Sequence, residues 1–83
     1  MDDIKAQTRK VMENIRVVLE AAGTSLDNVV KFLIILKDIN DVKSMDVAYK
    51  EIFPKDQPAR ICIQAPMLQP EILVEIEAVA FVP

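Results

Sequence analysis

The side chains best suited to chemistry lie near the C-terminus, on two stretches with the alternating pattern of β-strands, residues 58–64 and 72–82. Arg60 stands on the first stretch, and Glu75 and Glu77 interrupt one face of the second, because successive strand side chains point to opposite sides. A guanidinium binds a carboxylate through a two-point fork, and a glutamate can orient or deprotonate a water. These residue types indicate a site that binds a small carboxylate beside an activated water.

The same charges also permit a simpler interpretation. The connection formed by residues 66–70 is short and bounded by prolines, which predicts an antiparallel hairpin between the two stretches. Arg60 and Glu75 would then face each other as an ordinary cross-strand ion pair worth about 0.2–1 kcal/mol. The residue types alone leave both interpretations open.

Composition limits the classes of function. The chain has 83 residues, enough for a single domain, with 52% hydrophobic residues and a net charge of -3. This acidic balance predicts no nucleic-acid partner, and no apolar run approaches the ~20 residues of a membrane span. With one cysteine and no histidine, the sequence has no parts for an intrachain disulfide, a zinc site or a histidine-activated nucleophile. The acidic start is unlike a secretory signal, and we expect a cytoplasmic protein.

Apolar residues at three- and four-residue steps predict an amphipathic helix over residues 4–22, which Gly23 ends. Residues 29–37 are apolar on both faces and predict a central strand, whose second face another subunit would cover. A second helix is predicted over residues 42–53. The order is helix, strand, helix, strand, strand, with the first two strands parallel. The sequence therefore predicts an α+β fold with two helices on one face of a small mixed sheet.

Several spaced motifs resemble the RidA (YjgF-like) family of reactive-intermediate deaminases, and together they extend over essentially the whole chain, as one domain of residues 1–83. They are Asn14-Ile15, Leu19-x-x-Ala22-Gly23, Leu26-x-x-Val29-Val30-Lys31, Asp38-x-Asn40-Asp41, Pro58-Ala59-Arg60-x-Cys62 and Val74-Glu75-Ile76-Glu77-Ala78-Val79-Ala80. The resemblance implies a chorismate mutase-like fold and a homotrimer with pockets at its subunit interfaces.

The resemblance also implies a chemistry, that of a 2-iminobutanoate/2-iminopropanoate deaminase. Such enzymes hydrolyse enamines and imines such as 2-aminoacrylate to a 2-keto acid and ammonia, without a metal or an organic cofactor. Arg60 would hold the substrate carboxylate, and Glu75 would position and activate the attacking water. Cys62 would line the substrate pocket, and its residue type favours a small buried hydrophobe over a nucleophile. Glu77 is interpreted as a structural or rim charge.

The chain departs from the family pattern in two places. Family members have additional strands before the first helix, with a tyrosine that reaches the pocket, and these 83 residues contain no counterpart. The family also often has an asparagine at the position of Asp46. We therefore expect a shortened member, or one that recruits strands from a partner. There are two alternatives to the deaminase. One is a non-catalytic module of the same family, either regulatory or binding small carboxylates, and the other is an inactive truncated form.

Overall fold

The computed structural model describes residues 3–83 and contains two helices and three strands, in the predicted order. No helix within those residues is long and apolar enough to cross a membrane. The elements are α1 (Ile4–Ala21), β1 (Val29–Leu36), α2 (Val42–Ile52), β2 (Ala59–Gln64) and β3 (Val74–Ala80), with short 3-10 turns at Leu26–Asn28 and Ile39–Asp41.

Helix α1 begins and ends at residues suited to those positions. The carboxylate of Asp3 accepts a hydrogen bond of 2.8 Å from the amide of Ala6, which satisfies one of the unpaired donors of the first turn. Gly23 follows the helix with φ of 88°, the left-handed conformation that glycine adopts without strain. Both helix boundaries agree with the sequence-based prediction to within one residue.

The three strands form one mixed sheet in the order β2-β1-β3, so the prediction of a β2–β3 hairpin is wrong. Strand β1 pairs in parallel with β2, as predicted, and antiparallel with β3. The reason lies in β1, which is apolar on both faces and takes the central position, where it separates the other two strands. The connection between β2 and β3 consequently crosses the C-terminal end of β1.

That connection is held by polar contacts from two other elements. The ammonium of Lys37, just after β1, donates to the carbonyl of Pro70 at 2.6 Å. The amide side chain of Gln7 on α1 donates to the carbonyl of Glu71 and accepts from the amide of Leu73, both at 2.8 Å. These contacts position the start of β3 against α1.

Both helices pack on one face of the sheet, which we call the helix face. Phe32, Ile34 and Leu36 of β1 point to this face and are at most 1% exposed. The rings of Phe32, Tyr49 and Phe53 meet there with centroids 5.3–5.9 Å apart. The core of the domain therefore lies between the sheet and the helices.

The opposite face of the sheet is uncovered in the single chain, and we call it the open face. Its rows follow from the strand register: Leu33 lies between Ile61 and Glu77, and Ile35 lies between Ile63 and Glu75. Ile61 and Ile63 are 59% and 41% exposed. The open face is thus an apolar surface that carries two carboxylates.

Candidate functional site

Arg60 reaches its position because β2 alternates, which turns its side chain toward the helix face, onto α2. Its guanidinium carbon lies 4.7 Å from the centroid of the Tyr49 ring, in the geometry of a cation–π contact. Nη1 of Arg60 lies 2.5 Å from Oδ1 of Asp46 on the same helix. Strand β2 supplies the cation, and one turn of α2 supplies both its aromatic support and its counter-charge.

The electrostatics of this group keep Arg60 charged. Its hydrogen-bonding contact with the Asp46 carboxylate raises the pKa of Arg60, against the opposing effect of partial burial. The Arg60 and Asp46 side chains are 24% and 23% exposed, so water screens the pair only partly. Within residues 3–83, Nη1 and Oδ1 have no other polar partner. The guanidinium therefore presents its remaining donors from a fixed position.

Cys62 lies two residues further along β2 and shares the face of Arg60, as predicted. It is half-buried, forms no disulfide and packs against the core. Burial raises the pKa of its thiol, an effect that the nearby Arg60 charge only partly offsets. A raised pKa leaves little thiolate at neutral pH, which disfavours a nucleophilic role for Cys62.

Glu75 lies on the open face, and the structure does not bring it together with Arg60 within one chain. The strand register places Glu75 beside Ile35 and Arg60 beside Phe32, on opposite sides of the sheet and on opposite sides of β1. The predicted Arg60–Glu75 cross-strand pair is therefore wrong: β1 separates the two strands, and Arg60 pairs with Asp46. Glu75 and Glu77 are both exposed, and neither forms an ion pair with residues 3–83.

A hollow of about 180 Å³ lies at the start of β1 and β2. Lys31, Leu33, Ala59, Ile61 and Glu77 line it from the open face, and it also borders Phe32 and Arg60, whose side chains point to the helix face. The hollow therefore lies on the open face, on the other side of the sheet from the Arg60 guanidinium.

Two larger grooves, of about 360 and 460 Å³, run between α1 and β3, away from Arg60. Their linings are mainly apolar, with Asn14 in the first and Glu75 in the second. Within residues 3–83, no group of three histidine, cysteine, aspartate or glutamate side chains has the spacing of a metal site.

Sequence reasoning missed Asp46 and Tyr49 as members of this site. Tyr49 is fully buried on the apolar side of α2. Asp46 lies one helical turn from Val42 and from Tyr49, so a carboxylate stands beside an otherwise apolar stripe. That position was the available signal, because a carboxylate next to a buried face requires a cationic partner.

Comparisons with known proteins extend over nearly the whole chain. The family model described as Endoribonuclease L-PSP matches residues 1–82. A RutC family protein of Pyrococcus horikoshii is 48% identical over 79 residues, which are 95% of this chain and 63% of that protein. The chain thus spans slightly less than two thirds of the length of this relative.

Solved structures share the fold. A member of the YjgF/YER057c/UK114 family from Mycobacterium tuberculosis superimposes with a TM-score of 0.93 at 35% identity, covering 99% of this chain and 70% of that one. The structure of E. coli TdcF with bound serine has a TM-score of 0.87 at 31% identity, covering 96% of this chain and 65% of that one. By its sequence and its fold, this chain belongs to the endoribonuclease L-PSP family, the YjgF/UK114 group to which the RidA-like motifs pointed.

Proposed function

We propose that this chain forms part of an enzyme that hydrolyses reactive enamines and imines, such as 2-aminoacrylate, to a 2-keto acid and ammonia. The observation that carries the proposal is the Arg60 guanidinium, which lies on the Tyr49 ring, is partly exposed and has Asp46 as its counter-charge. Such a group is suited to a small carboxylate. E. coli TdcF, a structural relative, was crystallised with serine, which is a small molecule bearing a carboxylate.

The proposed reaction divides the work among three side chains. Arg60 holds the substrate carboxylate, and Cys62 lines the pocket next to it. Glu75 accepts a proton from a water as the water oxygen bonds to the imine carbon, and the imine nitrogen takes up a proton. The carbon–nitrogen bond of the resulting carbinolamine then breaks as its nitrogen takes the proton back from Glu75 and its hydroxyl loses a proton to solvent, which releases ammonia, leaves the 2-keto acid and restores the Glu75 carboxylate.

Arg60 and Glu75 can share one substrate only if the pocket lies between two copies of the chain. They occupy opposite faces of the sheet in one subunit, and the open face exposes an apolar surface around Glu75. We place the pocket at a boundary to which one subunit contributes Arg60 and its neighbour contributes Glu75. A closed ring of three subunits satisfies this arrangement at every boundary. Light scattering at micromolar concentration should give the mass of a trimer, and a stable monomer would contradict this assembly.

Mixing two inactive variants tests the shared pocket directly. Arg60→Lys loses the two-point fork, and Glu75→Gln loses the base, so each variant alone should release little ammonia from a freshly generated imino acid. After dissociation and reassembly of an equal mixture, about a quarter of the boundaries should hold both intact side chains, and activity should return in proportion. A mixture as inactive as its components would contradict a pocket shared in this way.

Ligand titration separates binding from catalysis. Glu75→Gln keeps the shape of the side chain, so it should bind a 2-keto acid about as tightly as wild type and yet not turn over. Arg60→Lys should bind the same ligand clearly more weakly. Equal affinity in wild type and Arg60→Lys would contradict the carboxylate clamp, and full turnover by Glu75→Gln would contradict the role of Glu75.

A second candidate is a carboxylate-binding or regulatory module without turnover. It is favoured by the positions of Arg60 and Glu75 on opposite faces of the sheet, so that one chain holds a cation suited to a carboxylate without the proposed base beside it. Binding of a 2-keto acid by wild type, with no ammonia released from any imino acid, would support this module over the enzyme.

A further inference from the structure

Arg60 already has a carboxylate partner within its own chain. Nη1 of Arg60 and Oδ1 of Asp46 are 2.5 Å apart, and about three quarters of each side chain is withdrawn from water. A ligand carboxylate must therefore bind a cation whose charge is largely neutralised, or displace Asp46 from it. We propose that Asp46 determines which ligands this site accepts: it disfavours plain carboxylates and favours those with a cationic nitrogen beside the carboxylate, such as protonated imino acids. This inference rests on the proposed function, because it assumes that Arg60 binds the substrate.

The contacts around Arg60 leave one route for a ligand. Tyr49 is fully buried and covers one face of the guanidinium, so that face is closed. Asp46 occupies Nη1. Because a guanidinium has five N–H donors in a planar fork, the edge formed by Nε and Nη2 remains for an incoming carboxylate.

Asp46 also decides the net charge of the group. Burial raises the pKa of both Tyr49 and Cys62, so at neutral pH the phenol and the thiol are uncharged. Those two side chains and Asp46 are the titratable groups whose charges act on Arg60. With Asp46 ionised the group carries no net charge, and without that carboxylate it would carry one positive charge.

These charges predict opposite effects on two ligands that differ in one group. In both, the carboxylate lies on the free edge of Arg60, and the substituent at C2 lies within range of the Asp46 charge. A 2-keto acid presents a neutral carbonyl there, so Asp46 only repels its carboxylate. A protonated imine or amine presents a positive charge, which the same carboxylate attracts. Asp46 thereby favours an iminium substrate over its own keto-acid product.

The substitution Asp46→Asn isolates this charge. Asparagine keeps the size of the side chain, and its amide oxygen can still accept a hydrogen bond from Nη1. The Tyr49 ring continues to support the guanidinium, so Arg60 retains its orientation. A unit charge at about 5 Å, screened by the partial exposure of the pair, should change an affinity by about tenfold.

The experiment titrates 2-oxobutanoate and 2-aminobutanoate, which share a carbon skeleton, into wild type and Asp46→Asn. We expect Asp46→Asn to bind 2-oxobutanoate about tenfold more tightly and 2-aminobutanoate no more tightly, so the ratio of the two affinities shifts by about tenfold or more. Asp27→Asn is the matched control, because Asp27 is exposed and is not among the groups that act on Arg60; its ratio should equal that of wild type.

The outcomes separate this inference from the proposed function. If Arg60→Lys weakens 2-oxobutanoate binding but Asp46→Asn leaves the ratio unchanged, Arg60 is the clamp and the role of Asp46 is refuted. Weaker binding of both ligands by Asp46→Asn would also refute it, since Asp46 would then only position Arg60. If wild type and Asp46→Asn both fail to bind 2-oxobutanoate, the proposed function and this inference are both refuted.

Discussion

The two faces of the sheet differ in whether their charged side chains form ion pairs within the described residues. On the helix face, the one cation of β2 is matched by a carboxylate of α2 and rests on a buried aromatic ring. On the open face, Glu75 and Glu77 stand among apolar side chains and form no ion pair with residues 3–83. The helix face is covered by the two helices of the same chain, whereas the open face is uncovered in the single chain. Substitutions on the helix face should therefore lower stability more than substitutions on the open face.

The largest expected difference compares two neighbours in β1. Phe32 is 1% exposed and contacts the rings of Tyr49 and Phe53, so Phe32→Ala should lower the free energy of unfolding by about 3–5 kcal/mol. Leu33 points to the open face and is only half-buried, so Leu33→Ala should lower it by about 1 kcal/mol in the monomeric chain. Urea denaturation of both variants at low protein concentration measures this. Equal losses would show that the open face is as deeply covered as the helix face.

Replacing a charged residue should also lower the free energy of unfolding more on the helix face than on the open face. Arg60→Met leaves the Asp46 carboxylate mostly buried without its partner and should lower the free energy of unfolding by about 1–3 kcal/mol, moderated by the water that reaches the pair. Glu75→Gln changes an exposed side chain without a partner and should change it by no more than about 0.5 kcal/mol. Thermal unfolding of the two variants provides the comparison, and a larger loss in Glu75→Gln would reverse our assignment of the faces.

The two faces can also be compared by the reactivity of a cysteine at position 62, on the helix face, and at position 61, on the open face. Burial raises the pKa of Cys62, so its thiolate fraction is small at neutral pH and rises as the pH approaches that raised pKa. At pH 8 and a protein concentration low enough to keep the chain monomeric, Cys62 should react with iodoacetamide about tenfold more slowly than a cysteine at the open-face position 61, made as Ile61→Cys in a Cys62→Ala background. Ile61 is 59% exposed in the single chain. Comparable slow rates at both positions would indicate that another subunit covers the open face.

The smallest expected effect concerns Tyr49. Its hydroxyl is buried and has no hydrogen-bond partner within residues 3–83, while its ring supports Arg60. Tyr49→Phe removes the unsatisfied hydroxyl and keeps the ring, so stability should stay the same or rise by up to about 1 kcal/mol. A decrease of more than about 1 kcal/mol in calorimetry would mean that the hydroxyl has a partner in solution, such as a bound water or a neighbouring subunit.

Local residue patterns predicted some features of the sheet correctly and one feature wrongly. The two-sided apolar pattern of β1 correctly predicted a central strand, and the alternation in β2 correctly placed Arg60 and Cys62 on one face. The prolines between β2 and β3 suggested a hairpin, which is incompatible with a central β1 in a three-stranded sheet. Central placement was the stronger constraint, since it gives β1 a hydrogen-bonded strand on each side, while a turn can be replaced by a longer crossing.

The sequence by itself determined the helices, the strands, the glycine that ends α1 and the face on which each charge of a strand lies, because these follow from local periodicity and backbone preference. Only the tertiary structure decided which charges meet. Arg60 contacts Asp46 rather than Glu75 because β1 lies between β2 and β3 and because α2 packs across β2, and both facts depend on burying the core as a whole. A charge finds its partner through long-range packing, which no local pattern of residues encodes.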